Sequence, residues 1–412
     1  QTGWLKCHYP SEFFASCLTY AKSMDEIKKI MDDCRSHGIK ILNPDVNESG
    51  AHFSVNKAGN VRFALSGIKG FGGNIVEAIM KEREENGLFT DLYDFVERMA
   101  GMVNRKAFEA LLYAGAFDSF GLRRRQFELP GRSGQPFIDE IIRYGELYRN
   151  DTVDAAASLF GDVEEMRPER PAIPEMAGEE DLLLMLQQEK ELVGMYLSSH
   201  PLDRYEFELK NFTDCELGAL GDLVAKCEQE HKSAKVCVAG LVTEYKQLLT
   251  KKGTPYSRTK LEDYSGSFEL TLFAKDHEAF FKYMVPHEAL FLEGVIEEKY
   301  FLKPEERAQG KTPPPYVFKL KKVTMLGNVS ADKLRSFSVS VETPMLTPQF
   351  REGLVRVVKK HKGNTPLEMF LFDPQTRYRI QFKSNKFQVG VSTEFISDLH
   401  RIGVDRYEAV KK

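Results

Sequence analysis

A chain of 412 residues with 42% hydrophobic residues is too long for a single core, and we expect roughly three or four domains. The formal net charge of −4 excludes a generally cationic protein, so any contact with a nucleic acid must come from local basic patches. The six cysteines form no CxxC pair, no apolar run is long enough to span a bilayer and no signal peptide opens the chain, so we expect a reducing, cytoplasmic protein without a zinc site or a disulfide framework.

The first predicted elements are helical. Apolar residues recur at helical spacing over 11–37, and Gly38 ends the helix ahead of a turn rich in Pro and Asn at 43–47. Residues 53–65 alternate loosely between apolar and polar, which predicts a pair of short strands. Because the chain starts with Gln1 in the middle of a pattern, we expect it to be a piece of a longer polypeptide.

The stretch GIKGFGGNIVEAI at 67–79 places four glycines directly before a helical pattern. Glycine takes positive φ and allows another backbone to approach closely, while the first turn of a helix offers unpaired amides at a positive dipole end. The segment therefore predicts a helix-hairpin-helix that grips a nucleic-acid backbone without reading bases. The alternative is a tight turn that only packs the helix. The candidate DNA contacts are Lys69, Gly70, Phe71, Gly72, Gly73 and Asn74.

A second, weaker hairpin is predicted within VNRKAFEALLYAGAFDSFG at 103–121. Here a helix runs into a Gly-Ala-Phe turn at 115–117, where Ala replaces one bare position and Asp118 would repel a phosphate. Paired hairpins can hold two neighbouring phosphates. Three arginines follow at 123–125, and they are either a solvated face or further phosphate contacts. The candidate DNA contacts of this stretch are Arg105, Arg123, Arg124 and Arg125.

A short apolar peptide, AAASLFGD at 155–162, comes next. Leu159 and Phe160 are adjacent, large and surrounded by small or polar residues, as expected of an exposed anchor for a partner's pocket. The alternative is a helix end packed on the preceding domain. Residues 162–180 are rich in Pro and Glu, which is typical of an extended linker, and a helix is predicted over 181–197 before the stop signal SSHP.

After residue 234 the pattern changes to strands. Five strand-like runs, with a helical interval at 276–283 between the third and fourth, predict a five-stranded OB β-barrel. In TKKGTPYSRTKLED the second of these runs places Tyr, Arg and Lys on one face, where bases could stack and phosphates could pair. Nearby glutamates dilute the positive charge, and OB barrels also bind sugars and proteins. The candidate contacts with single-stranded DNA are Lys251, Lys252, Tyr256, Arg258 and Lys260.

The tail from about residue 333 predicts a small C-terminal α+β domain. Its pattern is a strand, a helix at 350–360, three strand-like pieces at 367–372, 378–382 and 387–391, and a helix at 395–402. The predicted fold class is therefore a multidomain α+β protein with a helical helix-hairpin-helix region, an OB barrel and this small domain.

These motifs together resemble the C-terminal third of the bacterial replicative DNA polymerase III alpha subunit, a polymerase of the C family. The similar stretches are LKCHYPSEFFASCLT with CRSHGIKILNPDVNES, GIKGFGGNIVEAI, NRKAFEALLYAGAFDSFG, EKELVGMYLSSHPLD and TKKGTPYSRTKLEDYSGSFELTLF, in the family's order. The layout that the resemblance implies is the end of the fingers domain at 1–50, a helix-hairpin-helix duplex-binding and clamp-binding region at 51–161, a linker at 162–180, a connecting helical region at 181–234, an OB domain near the single-stranded template at 235–328, and a domain that binds the clamp-loader tau subunit at 329–412.

The resemblance also implies a role for the short apolar peptide. It is similar to the family's internal motif for the sliding clamp, and its residues here are Ala156, Ser158, Leu159, Phe160 and Gly161. The motif commonly starts with Gln, and because Ala156 stands in that place we expect weaker clamp binding than with Gln.

The same resemblance implies that the parent polypeptide is a DNA-directed DNA polymerase, a nucleotidyltransferase. The palm carboxylates that would hold two Mg²⁺ ions lie upstream of Gln1 in this family, so we expect no catalytic residue, metal site or cofactor in this piece. Two alternatives stay open: a stand-alone repair scaffold that combines hairpin and barrel modules, and the error-prone relative of the same polymerase.

Overall fold

The computed structural model describes residues 1–157, 168–178, 180–251, 253–300 and 314–412. The chain divides into two compact units, Gln1–His200 and Pro201–Lys412. None of the helices in the described ranges is both long and apolar enough to cross a membrane. Several predicted contact residues lie outside the described residues: Ser158, Leu159, Phe160, Gly161 and Lys252.

The first unit is mainly helical. Its helices are α1 (Thr2–His8), α2 (Pro10–Tyr20), α3 (Met24–Ser36), α4 (Gly73–Asn86), α5 (Leu92–Arg98), α6 (Arg105–Ala114), α7 (Phe137–Ala157) and α8 (Leu182–Val193). Three short strands, β1 (Ile41–Leu42), β2 (Ser54–Val55) and β3 (Val61–Arg62), form a sheet in the order β1-β3-β2. The antiparallel pairing of β2 with β3 confirms the predicted strand pair.

The single helix predicted over 11–37 is wrong, because the structure has two helices there. The backbone of Ala21 is extended (φ −64°, ψ 134°), which ends α2. Ser23 then caps α3, since its side chain accepts a hydrogen bond from the Glu26 amide. Apolar spacing continues across this break, so periodicity alone does not reveal it.

One apolar core holds the first unit together, and aromatic rings form a continuous chain through it. The ring centroids of Phe95 and Phe117 are 5.0 Å apart, those of Phe117 and Phe108 are 5.0 Å apart, and those of Phe127 and Phe137 are 5.4 Å apart. Edge-to-face and tilted contacts of this kind add to the area that the rings bury. They fix α5, α6, α7 and the 3₁₀ helix Arg124–Glu128 relative to one another.

Residues 201–333 of the second unit contain a curled five-stranded sheet and several helices. The helices are α9 (Glu206–Phe212), α10 (Leu217–Glu230), α11 (Ala274–Phe280) and α12 (Val329–Lys333), and the strands are β4 (Ala234–Leu249), β5 (Pro255–Glu262), β6 (Ser267–Phe273), β7 (Ala289–Glu298) and β8 (Tyr316–Met325). The sheet order is β6-β5-β4-β7-β8, and every pairing is antiparallel. One end of the long β4 pairs with β5 and the other with β7.

The five predicted strands and the helix between the third and fourth are present, but a closed barrel is not shown. Within the described ranges β6 and β8 do not pair, although the rings of Phe268 and Phe318 bring these two edge strands within a centroid distance of 6.1 Å. Leu217 and Leu220 of α10 are buried in the same core. The closure expected of an OB barrel therefore stays a prediction.

The remainder of the second unit is the C-terminal α/β layer. Its strands are β9 (Leu334–Glu342), β10 (Lys362–Phe372), β11 (Arg379–Val389) and β12 (Arg406–Lys411), and its helices are α13 (Pro348–Lys360) and α14 (Thr393–Arg401). The sheet order is β11-β10-β9-β12, with β9 and β10 parallel and the other pairs antiparallel.

Two strand predictions for the tail are wrong. The pieces predicted at 378–382 and 387–391 belong to one strand, β11, whose pairing with β10 is irregular between Lys383 and Gln388 and so breaks the alternation. The last strand, β12, is absent from the prediction, although burial alternates along its first four residues.

Candidate nucleic-acid interface

The first hairpin uses each of its glycines differently. Gly67 ends a 3₁₀ helix, and a Cβ there would lie 2.6 Å from the Phe63 ring, so packing requires glycine. Gly70 has φ +77°, which favours glycine for backbone reasons. Gly72 and Gly73 meet neither constraint, because a Cβ at either position would find nothing within 4 Å. The last two glycines therefore leave open space beside the turn.

Unpaired amides face that open space. Among the described residues, the amides of Gly70, Gly72, Gly73 and Asn74 donate no hydrogen bond. All four residues are exposed, and α4 begins at Gly73 with no acidic residue in its first turn. Free N–H groups at the positive end of a helix dipole form a suitable site for a phosphate.

The residues around these amides hold the turn in place. Phe71 is only 8% exposed and lies in the core beneath the turn, so it positions the hairpin and cannot itself contact DNA. The Lys69 amide donates to the Leu192 carbonyl, which fastens the turn to α8, and the Lys69 side chain is exposed. Of the six predicted residues here, five share one surface and Phe71 supports it.

Lys106 belongs to the same surface and is absent from the sequence-based candidates. Its Cε lies 3.7 Å from the point where a Cβ on Gly70 would be, and the residue is exposed. The predicted neighbour Arg105 is different, because its guanidinium pairs with Glu109 and Asp139. The signal for Lys106 is a distance across the fold, between the start of α6 and the hairpin, which sequence spacing does not give.

The second hairpin is closed, and the prediction that Arg124 contacts DNA is wrong. Arg124 is 3% exposed, its guanidinium donates to Asp118 at 2.7 Å and 3.2 Å, and it also donates to the Tyr113 carbonyl at 2.9 Å. Burial disfavours its charge, but the hydrogen bond and charge of Asp118 raise the pKa of Arg124. A Cβ on Gly115 would lie 2.4 Å from the Arg124 guanidinium, so the Arg124 side chain occupies the space beside this turn.

Arg124 is part of a buried network that includes the EKELVGMYLSSHPLD stretch. Glu189, which is fully buried, lies 3.5 Å from the Arg124 guanidinium. The Glu189 carboxylate also accepts hydrogen bonds from the amides of Leu197 and Ser198 and from the Ser198 hydroxyl. A buried charge needs this degree of pairing. The stretch thus ties α8 and its following turn to the second hairpin.

The exposed arginines of the triplet lie beside residues 170–180. The Arg123 guanidinium donates to the Gly178 carbonyl at 2.8 Å, and the Arg125 amide donates to Glu180 Oε1 at 2.9 Å. Further along, Tyr93 Oη donates to the Pro171 carbonyl at 2.5 Å, and Arg170 pairs with Glu97 at 2.9 Å.

The described part of the predicted linker, 168–178, thus has neither helix nor strand but is fastened along the first unit. An acidic side chain, Glu180, also lies beside the arginine triplet.

The second unit presents the predicted single-strand surface on β5. Tyr256, Arg258 and Lys260 alternate with the buried Ser257, Thr259 and Leu261, which confirms that the first three share the outer face. Phe273 of β6, absent from the sequence-based candidates, pairs directly with Tyr256, and their rings stack at 5.2 Å with an interplanar angle of 17°. Phe273 is 53% exposed, so a flat aromatic surface is open to solvent.

Charges follow the aromatic pair along the same face. Lys246 on β4 lies opposite Arg258, and Glu244 lies opposite Lys260. Lys246 contacts Glu244 at 2.9 Å and Arg258 lies 3.8 Å from Glu269, so carboxylates offset part of the positive charge. These exposed pairs are weak, and a polyanion could displace the carboxylates from the cations.

One cluster in the C-terminal layer has metal-ligand residue types. His361, Glu394 and Asp398 offer ligand atoms within 4.8 Å of one another. Lys360, however, lies 2.8 Å from both carboxylates, and Arg401 lies 2.9 Å from Asp398. Hydrogen bonds from His361 and Lys360 lower the pKa of Asp398 to about 2. The cations already present make the cluster an ion-pair network that joins α13 to α14.

Of the predicted clamp motif, only Ala156 lies in a described element, within α7. The positions of the anchor residues are not described, so clamp binding is argued from sequence alone.

Two family models match the chain. One, described as a helix-hairpin-helix motif, matches residues 38–127, and the other, described as the C-terminal domain of the DNA polymerase III alpha subunit, matches residues 337–402. The first range contains both predicted hairpins and the arginine triplet.

Curated relatives extend the match to nearly the whole chain. DNA polymerase III subunit alpha of Vibrio cholerae is 28% identical over 421 residues, covering 99% of this chain and 33% of that protein. The chain belongs to the DNA polymerase III alpha subunit family. The Deinococcus radiodurans subunit is 34% identical over 68% of this chain and 20% of its own length, and the Pasteurella multocida subunit is 33% identical over 67% and 23%. The chain spans about a third or less of the length of these relatives, and the matches are those of a C-terminal portion of the alpha subunit.

Among solved structures, the mitochondrial single-stranded DNA binding protein Rim1 from S. cerevisiae matches 23% of this chain and 95% of its own, with 11% identity and a TM-score of 0.16. A likeness this weak has no bearing on function.

Proposed function

We propose that this chain is the DNA-binding and protein-docking part of a replicative DNA polymerase III alpha subunit. The parent polypeptide would be a DNA-directed DNA polymerase acting in DNA replication. Carboxylates outside this chain would hold the two Mg²⁺ ions of nucleotidyl transfer, so this part would be inactive alone. Within it, the first unit would grip the primer-template duplex, and the β4-β5-β6 face would contact the single-stranded template.

The observation that supports the duplex grip best is the set of free amides on Gly70, Gly72, Gly73 and Asn74. Gly72, Gly73 and Asn74 lie at the start of α4, where amides have no partner within the helix, and no side chain caps them here. A phosphodiester would satisfy several of them at once. The sugar-phosphate backbone of the duplex would also meet the two exposed lysines beside the turn, Lys69 and Lys106.

For the single-stranded template, the support is the stacked pair Tyr256 and Phe273 with Arg258 next along the same face. Aromatic rings stack with any base, while the cations pair with phosphates, so binding would be tolerant of sequence. Lys251 lies in the turn at the end of β4, close along the chain to this face.

Docking to the sliding clamp is proposed from Leu159 and Phe160, and docking to the clamp-loader tau subunit is proposed for the C-terminal layer. The clamp proposal is tested by pull-down of the clamp with the full chain and with the double variant L159A/F160A. Leu147 on α7 is 47% exposed, so L147A is a matched control for removing a large apolar side chain. We expect the double variant to lose the clamp and the control to retain it, and a double variant that retains it would place the anchor elsewhere.

The duplex grip is tested by fluorescence anisotropy with a labelled primer-template at several salt concentrations. The logarithm of the binding constant falls with the logarithm of salt by about 0.9 for each phosphate that a cation neutralises. We expect the double variant K69A/K106A to lower this slope by about 1.8, which is twice that value. The control is K226A, at an exposed lysine of α10 in the other unit. An unchanged slope in the folded double variant would refute the proposed contact at this hairpin.

A further inference from the structure

The free edge of the C-terminal sheet is unusually open. Strand β11 is paired only with β10, so within the described ranges its other edge has no neighbouring strand. The strand is eleven residues long, and its apolar side chains are exposed: Ile380 is 53% exposed, Phe382 46% and Phe387 38%. Natural edge strands are usually short, covered or interrupted, because unpaired N–H and C=O groups invite another strand.

The exposed side chains of β11 border an apolar groove. Ile380 lies opposite Leu371, and Phe382 lies opposite Met369, so these four share one face of the β10-β11 pair. On that side Leu354, Val355 and Val358 of α13 line a cavity of about 190 Å³ with Met369, Phe382 and Phe387. Val355 is itself 46% exposed. A contiguous apolar surface next to a free strand edge is typical of a site for a bound polypeptide.

The charge around this groove is mostly positive, although Glu368 is among the residues that line the cavity. Strand β11 contains Arg379, Lys383 and Lys386 and no acidic residue, whereas α13 contains four basic residues and one acidic residue. Lys383 is paired with Glu368 at 3.3 Å and Lys360 with Asp398, but Arg351, Lys359 and Lys386 are in no ion pair among the described residues. The surface is therefore basic on a chain whose net charge is −4.

We propose that β11 and its groove receive an extended, acidic segment of a partner protein. The segment would add a strand to the free edge of β11, and its alternate aliphatic side chains would enter the groove between β11 and α13. Its acidic side chains would pair with Lys386 and the cations of α13. The cations would also keep two copies of this chain from pairing edge to edge, which suits an edge reserved for a partner of opposite charge.

A protein fits this surface better than a nucleic acid does. A polynucleotide would meet the cations and could stack a base on Phe382 or Phe387, but it has no aliphatic group to fill the part of the groove that is lined by valine, leucine and methionine side chains. An acidic peptide satisfies both the charge and the apolar surface.

The inference rests on the proposed docking of the tau subunit to the C-terminal layer, and tau from the same organism is the probe. Binding of tau to the full chain is measured by calorimetry for the wild type and for the double variant I380E/F382E, which makes the exposed face acidic. The matched control is V410E on β12, because Val410 is 36% exposed on the opposite edge of the same sheet. We expect the double variant to bind tau about tenfold more weakly or worse, and the control to bind as the wild type does.

Hydrogen exchange on the wild type gives a second measurement that needs no variant. Tau should slow the exchange of backbone amides within Arg379–Val389, because a new strand would pair with them, and should leave Arg406–Lys411 unchanged. Tau that binds the wild type without protecting β11, and binds the double variant equally well, would overturn the inference while docking itself stands. A wild type that binds no tau would refute both. Loss of duplex binding in I380E/F382E with tau binding intact would reassign the surface to nucleic acid and overturn the inference.

Discussion

Replacing Gly72 by valine should weaken duplex binding without unfolding the first hairpin. The backbone of Gly72 (φ −75°, ψ 143°) lies in the extended region that valine prefers, and a Cβ there meets nothing within 4 Å. The branched side chain would stand over the free amides of Gly73 and Asn74. The same change at Gly70 is less informative, because φ +77° would cost about 1–2 kcal/mol of stability in any L-residue.

The expected loss follows from the number of hydrogen bonds removed. A hydrogen bond to a charged group contributes about 1.5–3 kcal/mol, so losing one amide contact to a phosphate weakens binding about 10- to 150-fold. The salt slope should change little, because an amide has no net charge and releases no counterion. In K69A the opposite pattern is expected, with the slope lowered by about 0.9. The two variants thus separate amide contacts from lysine contacts.

The assay is anisotropy of a labelled primer-template at several salt concentrations, with unfolding by urea as a check on the fold. The control variant is G221V, because Gly221 is an exposed helical glycine of α10 whose Cβ would also find open space. Wild-type affinity in a folded G72V protein would refute the amide site. If both the affinity and the salt slope fell, the loss would instead come from lysine side chains that no longer reach the phosphates.

Three further predictions concern the buried network, a buried carboxyl group and the aromatic pair. Arg124→Met should destabilise the first unit to urea by about 3–5 kcal/mol, because it leaves the buried Glu189 without its cation. Burial raises the pKa of Glu208 above its ordinary 4.5, so the stability from its protonated form is present below that value and is lost as pH rises through the folded pKa. Glu208→Gln should therefore stabilise the second unit at neutral pH, and thermal unfolding at several pH values from about 4 to about 8 checks this. Removing Tyr256 or Phe273 by alanine should weaken binding of single-stranded oligonucleotides by about 1–3 kcal/mol, measured by anisotropy.

Two of these predictions, those for Arg124 and for the aromatic pair, have a matched comparison in the same chain. Arg125→Met removes an exposed arginine next to the buried one and should change the unfolding free energy little. Phe281→Ala removes an aromatic ring that is 47% exposed but lies outside the β4-β5-β6 face. Equal losses in the paired variants, or a Glu208→Gln protein less stable than the wild type at neutral pH, would contradict the reasoning.

The parts of the fold that sequence predicts are those set by neighbours along the chain. The period of two on β5 places Tyr256, Arg258 and Lys260 outward, and the structure agrees because half-buried strands require alternation. The glycine turn before α4 is likewise local, since it depends on φ and on the start of a helix. Such features depend on residues only a few positions apart.

The parts that sequence misses depend on contacts between distant segments. Arg124 looks like its two exposed neighbours until Glu189, sixty-five positions further along, is placed against it. Lys106 becomes a hairpin residue only through its distance from Gly70, and Phe273 becomes part of the binding face only when β6 pairs with β5. Charge runs and aromatic residues have no sequence signal that separates a buried role from an exposed one.

The glycines of the first hairpin show how structure can separate packing from binding. Gly67 is explained by the Phe63 ring and Gly70 by its φ, so neither needs a ligand. Gly72 and Gly73 both have room for a side chain. Gly72 is the N-cap of α4, where glycine is itself favoured, but at Gly73, the first residue of the helix, glycine is less stable than alanine. No contact among the described residues offsets that loss of stability, whereas a phosphate bound against the bare backbone would offset it. The empty space at Gly73 is therefore stronger support for a nucleic-acid contact than the glycine content of the motif.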